Sequence, residues 1–150
     1  MSEAIKLPKL NFPGIKLRGR RVADEAQIWD AVRGMWLVLT PEEWVRQHLI
    51  SYLVSHCGVE PHAVVCEYPV MLNGQAQRAD VVVVDRQGQP FLLAECKATD
   101  IRIGQQVLDQ AARYNSVLGA PYLVLTNGLT HYCFRHTEQG YQAIESLPQW

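Results

Sequence analysis

Asp80 and Glu95-Cys96-Lys97 are the residues of this chain whose types and spacing could do hydrolytic chemistry. Phe91 to Lys97 is an apolar run of strand length that ends in two opposite charges separated by one residue. Alternate side chains of a strand share a face, so Phe91, Leu93, Glu95 and Lys97 are expected to point one way and Leu92, Ala94 and Cys96 the other. A similar run, Ala79-Asp80 followed by Val81 to Val84, precedes it across the turn Asp85 to Pro90. With Asp85 set across from Pro90, Asp80 falls opposite Glu95. Like charges directly opposed on an antiparallel pair, with Cβ atoms about 4.5–5.5 Å apart, destabilise it. A divalent cation between them would remove that repulsion. The pattern reads as a metal held by Asp80 and Glu95, with the Lys97 ammonium one strand step away.

Those residues need a sheet and helices to hold them. Thr40-Pro41-Glu42-Glu43 is a helix start, with Thr40 as N-cap, Pro41 at the first helical position and Glu43 closing a capping box. The helix should run to about Cys57, where Gly58 stops it. Glu43 has two readings: a cap, or a carboxylate on a helix beside the sheet that reaches the metal. Val64 to Leu72 reads as a strand, and Pro69 argues for a sheet edge. A tight turn at Asn73-Gly74 would bring Glu67 opposite Asp80, making a row of three carboxylates, unless a bulge at Gln75-Ala76 breaks the register. The plainer reading of Glu67 is an edge-strand charge facing water.

Beyond Lys97 a helix is expected from about Ile103 to Leu118, closed by Gly119 and Pro121. It carries Gln110 and Tyr114 on one face; by spacing alone they read as a solvated Gln and a Tyr packed on the sheet. Tyr122 to Thr126 is a further strand, turned by Asn127-Gly128 into another near His131 to Arg135. A right-handed crossover makes Tyr122–Thr126 parallel to Phe91–Lys97. The expected fold is α/β: a mixed sheet, with an antiparallel three-strand meander plus a parallel strand, flanked by helices in the order αβββαβ.

The chain has 150 residues, 48% of them hydrophobic, enough for one core. We expect a basic N-terminal arm over residues 1–21 and a single domain over 22–150, although 22–39 give no clear element. The longest apolar stretches fall far short of the roughly 18–20 residues that span a bilayer, and the N-terminus lacks the apolar core of a signal peptide. A cytoplasmic protein with no membrane partner is expected. Cys57, Cys66, Cys96 and Cys133 are widely spaced, which suits buried free thiols rather than zinc or disulfides. Net charge is −1, but Lys6, Lys9, Lys16, Arg18, Arg20 and Arg21 against Glu3 make residues 1–21 +5 and leave −6 for the rest. Such an arm could track phosphates or lie solvated.

This ordered set resembles the PD-(D/E)xK nuclease superfamily. It is closer still to the N-terminal nuclease domain of type I restriction enzyme R subunits, in a stand-alone bacterial form. The resemblance rests on Leu39-Thr40-Pro41-Glu42-Glu43-Trp44-Val45-Arg46-Gln47, Arg78-Ala79-Asp80, Glu95-Cys96-Lys97, Gln110-Ala111-Ala112-Arg113-Tyr114-Asn115 and Thr126-Asn127-Gly128, and covers roughly Ile28 to Trp150. It implies a restriction-endonuclease-like sandwich, Asp80 and Glu95 as metal ligands and Lys97 as the catalytic lysine. Gln110 and Tyr114 resemble a Gln-x-x-x-Tyr motif near substrate, with Arg78 a further substrate contact. Glu43 resembles the acidic residue of the first helix, and stands with Glu67 as a further candidate ligand. Ala79 replaces the Pro of the superfamily's name, which leaves the ligand untouched.

Carboxylate oxygens suit Mg2+ or Mn2+, which take one or two protein carboxylates and keep several waters. The expected function is metal-dependent hydrolysis of nucleic acid, DNA first, in restriction, defence or repair. The alternative is a non-catalytic nucleic-acid-binding or assembly module on the same scaffold. No phosphate-binding Gly-x-x-x-x-Gly-Lys-Ser/Thr loop is present, so translocation would need a partner helicase or motor subunit, and a grip on DNA would need the arm or a homodimer.

Overall fold

In the computed structural model, which describes residues 7–150, two helices and two sheets account for most of the chain. Helix α1 spans Pro41–His56. The Thr40 hydroxyl accepts the Glu43 N–H at 3.0 Å, Pro41 occupies the first turn, and Gly58 follows the end at φ +75°. The cap is one-sided, however. Glu43 does not reach back to Thr40; its carboxylate turns inward onto Arg46 and Gln47.

Six strands form the main sheet in the order β4-β5-β6-β7-β8-β9. They are β4 (Val64–Leu72), β5 (Gln75–Val84), β6 (Pro90–Cys96), β7 (Tyr122–Thr126), β8 (His131–Thr137) and β9 (Gly140–Ile144). β6 and β7 are parallel and the other neighbours antiparallel. Helix α2 (Gln105–Leu118) makes the crossover and ends at Gly119 in the left-handed conformation. β4 lies at the edge, where Pro69 costs no ladder bond. β9 had no signal in the sequence; it is five residues long and begins at a glycine.

Each face of the sheet carries one helix. Val45, Leu49 and Leu53 of α1 pack on Val81, Val83, Leu92 and Ala94. Ala111 and Tyr114 of α2 pack on Val82, Leu93, Leu123 and Leu125. Leu49, Leu53, Leu92 and Leu93 are fully buried, each contributing roughly 1.5–3 kcal/mol.

One register departs from expectation and the other keeps it with a local interruption, and both matter for the site. Val81↔Ala94, Val82↔Leu93 and Val83↔Leu92 pair as expected, but Val84 pairs with Pro90, leaving Phe91 as an extra residue. Asp85 does not face Pro90, which has no N–H to give; it closes the turn on Gln89 and accepts the Gln87 and Gln89 N–H groups. The extra residue puts Phe91 against the α1 face with Tyr122 rather than beside Leu93. The β4–β5 turn is tight, with Asn73 and Gly74 at positive φ and Leu72↔Gln75 paired, so no bulge follows it. The ladder is interrupted instead at Glu67, at φ +55°. Val64 and Cys66 pack on the α1 side, whereas Tyr68, Val70 and Leu72 pack on the α2 side.

Residues 22–39, which gave no clear element, belong to a separate antiparallel sheet: β1 (Gly19–Val22), β2 (Glu25–Asp30) and β3 (Met35–Val38). The arm drawn to residue 21 therefore ends inside β1. Ile28 and Asp30 are its buried anchors. Ahead of it, Leu10 is buried and the Phe12 ring lies tilted against His131, as the Asn11 N–H donates to the Gly128 carbonyl at 2.7 Å. Met1 to Lys6, which include the arm's Glu3 and Lys6, lie outside the described residues. All four cysteines are free. No described helix is long and apolar enough to cross a membrane.

Candidate active site

At Asp80 and Glu95 the β5–β6 ladder passes from backbone to side chains. Beyond the Val81↔Ala94 pair, the Cys96 N–H donates to Asp80 Oδ2 at 2.8 Å. The Asp80 N–H points at Glu95 Oε1 at 3.5 Å. The two carboxylates thus occupy the gap between separating strands. Burial comes first in raising Glu95, and the Asp80 charge adds to it; the group is pushed up to about 8 although Lys97 pulls it down. Burial likewise raises Asp80, against the Cys96 N–H and the Arg46 charge. Two anionic oxygen donors crowded in a half-dry position fit a hard divalent ion.

Lys97 sits one step past β6, held by its N–H to the Thr126 carbonyl at 2.8 Å. Its side chain lines a groove of about 650 Å³ together with Glu42, Arg102, Gln106 and Gln110. Gln110 donates to the Tyr114 hydroxyl at 3.2 Å, so the pair is a unit: Tyr114 buried in the α2 core, Gln110 exposed in the groove. Lys97 therefore stands between the carboxylates and this pair: its charge acts on Glu95, and it shares the groove with Gln110.

In the row of three carboxylates an arginine stands between Glu67 and Asp80. Glu67 does stand opposite Asp80, but its side chain binds Arg46 Nη1 at 2.6 Å. Glu43 takes Arg46 through both carboxylate oxygens and also accepts from Gln47. Arg46 Nη1 lies 3.4 Å from the Asp80 carbonyl and 3.9 Å from Asp80 Oδ1. Among the described residues no group of three or more His, Cys, Asp or Glu side chains comes together as a metal cage. A pocket of about 210 Å³ lined by Thr40, Glu42, Glu43, Arg46, Glu67 and Asp80 has a guanidinium in its wall. Arg78 stays exposed on β5, across from Pro69 and without an ion pair among the described residues.

Arg46 is the residue that sequence reasoning missed. Its signal was present: Glu43, Arg46 and Gln47 follow the i, i+3, i+4 spacing on the inward face of α1, where long polar side chains need buried partners. The network extends further. Asp30, fully buried, accepts from the Val32 and Arg33 backbone, from Arg33 Nε at 2.6 Å and from Gln47 at 3.2 Å. The β2–β3 turn is thereby tied through Gln47 and Glu43 to Arg46 and so to Asp80.

A family model for the N terminus of the type I restriction enzyme R protein matches residues 41–148. The chain belongs to that family. The match opens at the first turn of α1 and takes in both helices and the whole main sheet, leaving the β1–β3 sheet outside. Among solved structures, a fragment assigned to an HsdR subunit of a type I restriction enzyme from Vibrio vulnificus YJ016 has a similar fold, with a TM-score of 0.57 and 23% identity. The similarity covers 74% of this chain and 24% of that one. No curated protein matches the chain.

Proposed function

We propose that the chain is a metal-dependent deoxyribonuclease domain of PD-(D/E)xK type. The observation that carries this reading is the Asp80–Glu95 pair at the splayed end of two strands, with Lys97 beside it, in an R-protein N-terminal family member. Asp80 and Glu95 would hold Mg2+ or Mn2+. Bound there, the ion would supply Lewis acidity toward the scissile phosphate and make an attacking water more acidic than bulk water.

The protein's own groups do the rest. The Cys96 N–H fixes Asp80 in one rotamer. Lys97 donates from its ammonium to the attacking water or to a phosphate oxygen, countering charge that grows in the transition state. The groove running past Gln110 admits the nucleic acid, and the Tyr114 hydroxyl holds the Gln110 amide in place. Glu43 and Glu67 act through Arg46, which they hold against Asp80. A helicase or motor partner would deliver DNA in the setting of restriction or defence. The test is relaxation of supercoiled plasmid by purified protein with Mg2+ or Mn2+, against Asp80→Asn.

One observation favours a second reading, a non-catalytic nucleic-acid-binding or assembly module: Arg46 already neutralises part of the carboxylate cluster. Nucleic-acid binding without cleavage at any divalent-ion concentration would select it.

A further inference from the structure

We propose that the outer face of the β1–β3 sheet is a docking strip for the phosphate backbone of DNA, separate from the carboxylate site. It lies outside residues 41–148, the part matched to the family. One row crosses the three strands: the Trp29 N–H donates to the Arg18 carbonyl at 2.8 Å, and Trp29 pairs with Trp36. Two residues along, Arg20 pairs with Gln27. Alternation sends Ile28 and Asp30 into the body of the protein, so Arg18, Arg20, Gln27, Trp29 and Trp36 share the opposite face, where Arg18 and Trp29 also border a cavity of about 490 Å³ beside α1.

The arginines are held on aromatic rings. Arg20 lies 4.2 Å over Trp36, and Arg18 lies 5.5 Å from Trp29 and 5.3 Å from Trp36, while the two indoles meet edge-on at 5.3 Å. Neither arginine forms an ion pair among the described residues; Arg20 Nε donates to the neutral Gln27 amide at 2.6 Å. A guanidinium stacked on an indole keeps its N–H edge available, and its rotamer is ordered before any ligand arrives. Arg18, just ahead of β1, and Arg20 within it stand about 6.8 Å apart along extended backbone, a step comparable to that between successive phosphates of a nucleic-acid strand.

Charge selects the occupant. Residues 7–21 carry Lys9, Lys16, Arg18, Arg20 and Arg21 with no acidic residue, whereas residues 22–150 sum to −6. A polyanion therefore meets Arg18 and Arg20 on this face, with the single carboxylate Glu25 held by the Gln27 amide at its far end, on an otherwise acidic body. That the polyanion is DNA rests on the nuclease reading; binding at the strip needs neither metal nor cleavage.

The experiment is fluorescence anisotropy of a labelled DNA duplex with the full chain in EDTA, across a salt series. Arg18→Ala/Arg20→Ala should weaken binding about tenfold or more at low salt. It should also reduce the magnitude of the slope of log K against log salt by about 1.8, two phosphates at roughly 0.9 each. Arg18→Lys/Arg20→Lys should keep most of the slope, and Arg135→Ala, an exposed cation on β8, should leave it unchanged. Should the alanine variant unfold, Arg18→Gln/Arg20→Gln makes the same comparison at nearly full side-chain length. An unaltered slope, an equal loss in Arg135→Ala, or no duplex binding by the wild type would overturn the proposal. Duplex binding through the strip by a protein that never cuts plasmid with Mn2+ would sink the nuclease reading alone.

Discussion

The Cys96 N–H donates to Asp80 Oδ2 at 2.8 Å, so a carboxylate on one strand takes the place of a ladder carbonyl for its neighbour. That bond holds Asp80 beside Glu95 in spite of the repulsion between them. Asp80→Asn keeps an acceptor for Cys96 and deletes the charge, so its metal-free Tm at pH 8 should exceed that of the wild type. Asp80→Ala strands a buried N–H, at a cost of about 1–3 kcal/mol, and should lie below Asp80→Asn. Mg2+ or Mn2+ should raise the Tm of the wild type and of neither variant; a full shift in Asp80→Asn would place the ion elsewhere.

Glu95 sets a pH dependence. Its folded-state pKa, raised to about 8 by burial and by Asp80, lies above its ordinary value of 4.5. The folded state therefore binds more protons than the unfolded one between those values. Stability from this group is fully present below about pH 4.5 and is lost as pH rises through 8, by an amount on the order of a few kcal/mol. Thermal melts in EDTA across that window should fall with pH in the wild type and be flatter in Glu95→Gln. A wild-type profile as flat as the variant's would mean that Glu95 ionises normally.

Much of the geometry around Asp80 and Glu95 was legible in the sequence because it depends on local rules. The Asn73-Gly74 turn and the strand alternation place Glu67, Asp80 and Glu95 on adjacent strands, and the 3.6-residue period joins Gln110 to Tyr114. The Asp80–Glu95 register holds even though its starting premise, Asp85 across from Pro90, does not: Asp85 closes its own turn and the extra residue at Phe91 absorbs the difference. What stayed hidden are contacts between segments far apart in the chain. No periodicity shows that Glu67 adopts a left-handed conformation, or that Arg46 reaches Glu67 across 21 positions. The β1–β3 sheet was hidden because its strands are four to six residues long and lean on the buried Asp30 network rather than on an alternating apolar face.

Arg46 should be a stability determinant. Arg46→Ala leaves the buried Glu43 carboxylate only Gln47 and the more distant Arg33, and should destabilise the protein by up to about 3 kcal/mol. Because the cost is a buried carboxylate that has lost its main partner, Glu43→Gln in the same chain should restore part of it. A double-mutant cycle read by urea denaturation should give a coupling of at least about 1 kcal/mol. Strict additivity would mean that the Glu43–Arg46 contact carries no net energy.

Gly128 links the N-terminal segment to α1. It sits at φ +88°, and a Cβ there would lie 2.7 Å from a Leu10 methyl and 3.1 Å from a Val45 methyl. Gly128→Ala combines backbone strain with overpacking and should cost about 1–3 kcal/mol. Leu10→Ala added to it should recover some of the loss by opening the space. Differential scanning fluorimetry of the three variants is enough; an unchanged Tm in Gly128→Ala would show that the segment before β1 is not held against the core.

Lys97 separates catalysis from metal binding. An ammonium has no lone pair to offer a metal, and the Lys97 charge lowers the pKa of Glu95. Lys97→Met keeps most of the aliphatic stem in the groove and removes the charge, so the fold should survive. Without a competing cation beside the carboxylates, Mn2+ affinity measured by calorimetry should be unchanged or tighter. Plasmid cleavage should fall by two or more orders of magnitude, about the loss that follows removal of one transition-state-stabilising donor. Both quantities should be measured on the same preparation. Undiminished cleavage would make Lys97 a groove charge with no catalytic role, while lost cleavage accompanied by lost Mn2+ binding would mean that the substitution had disturbed the Asp80–Glu95 gap itself.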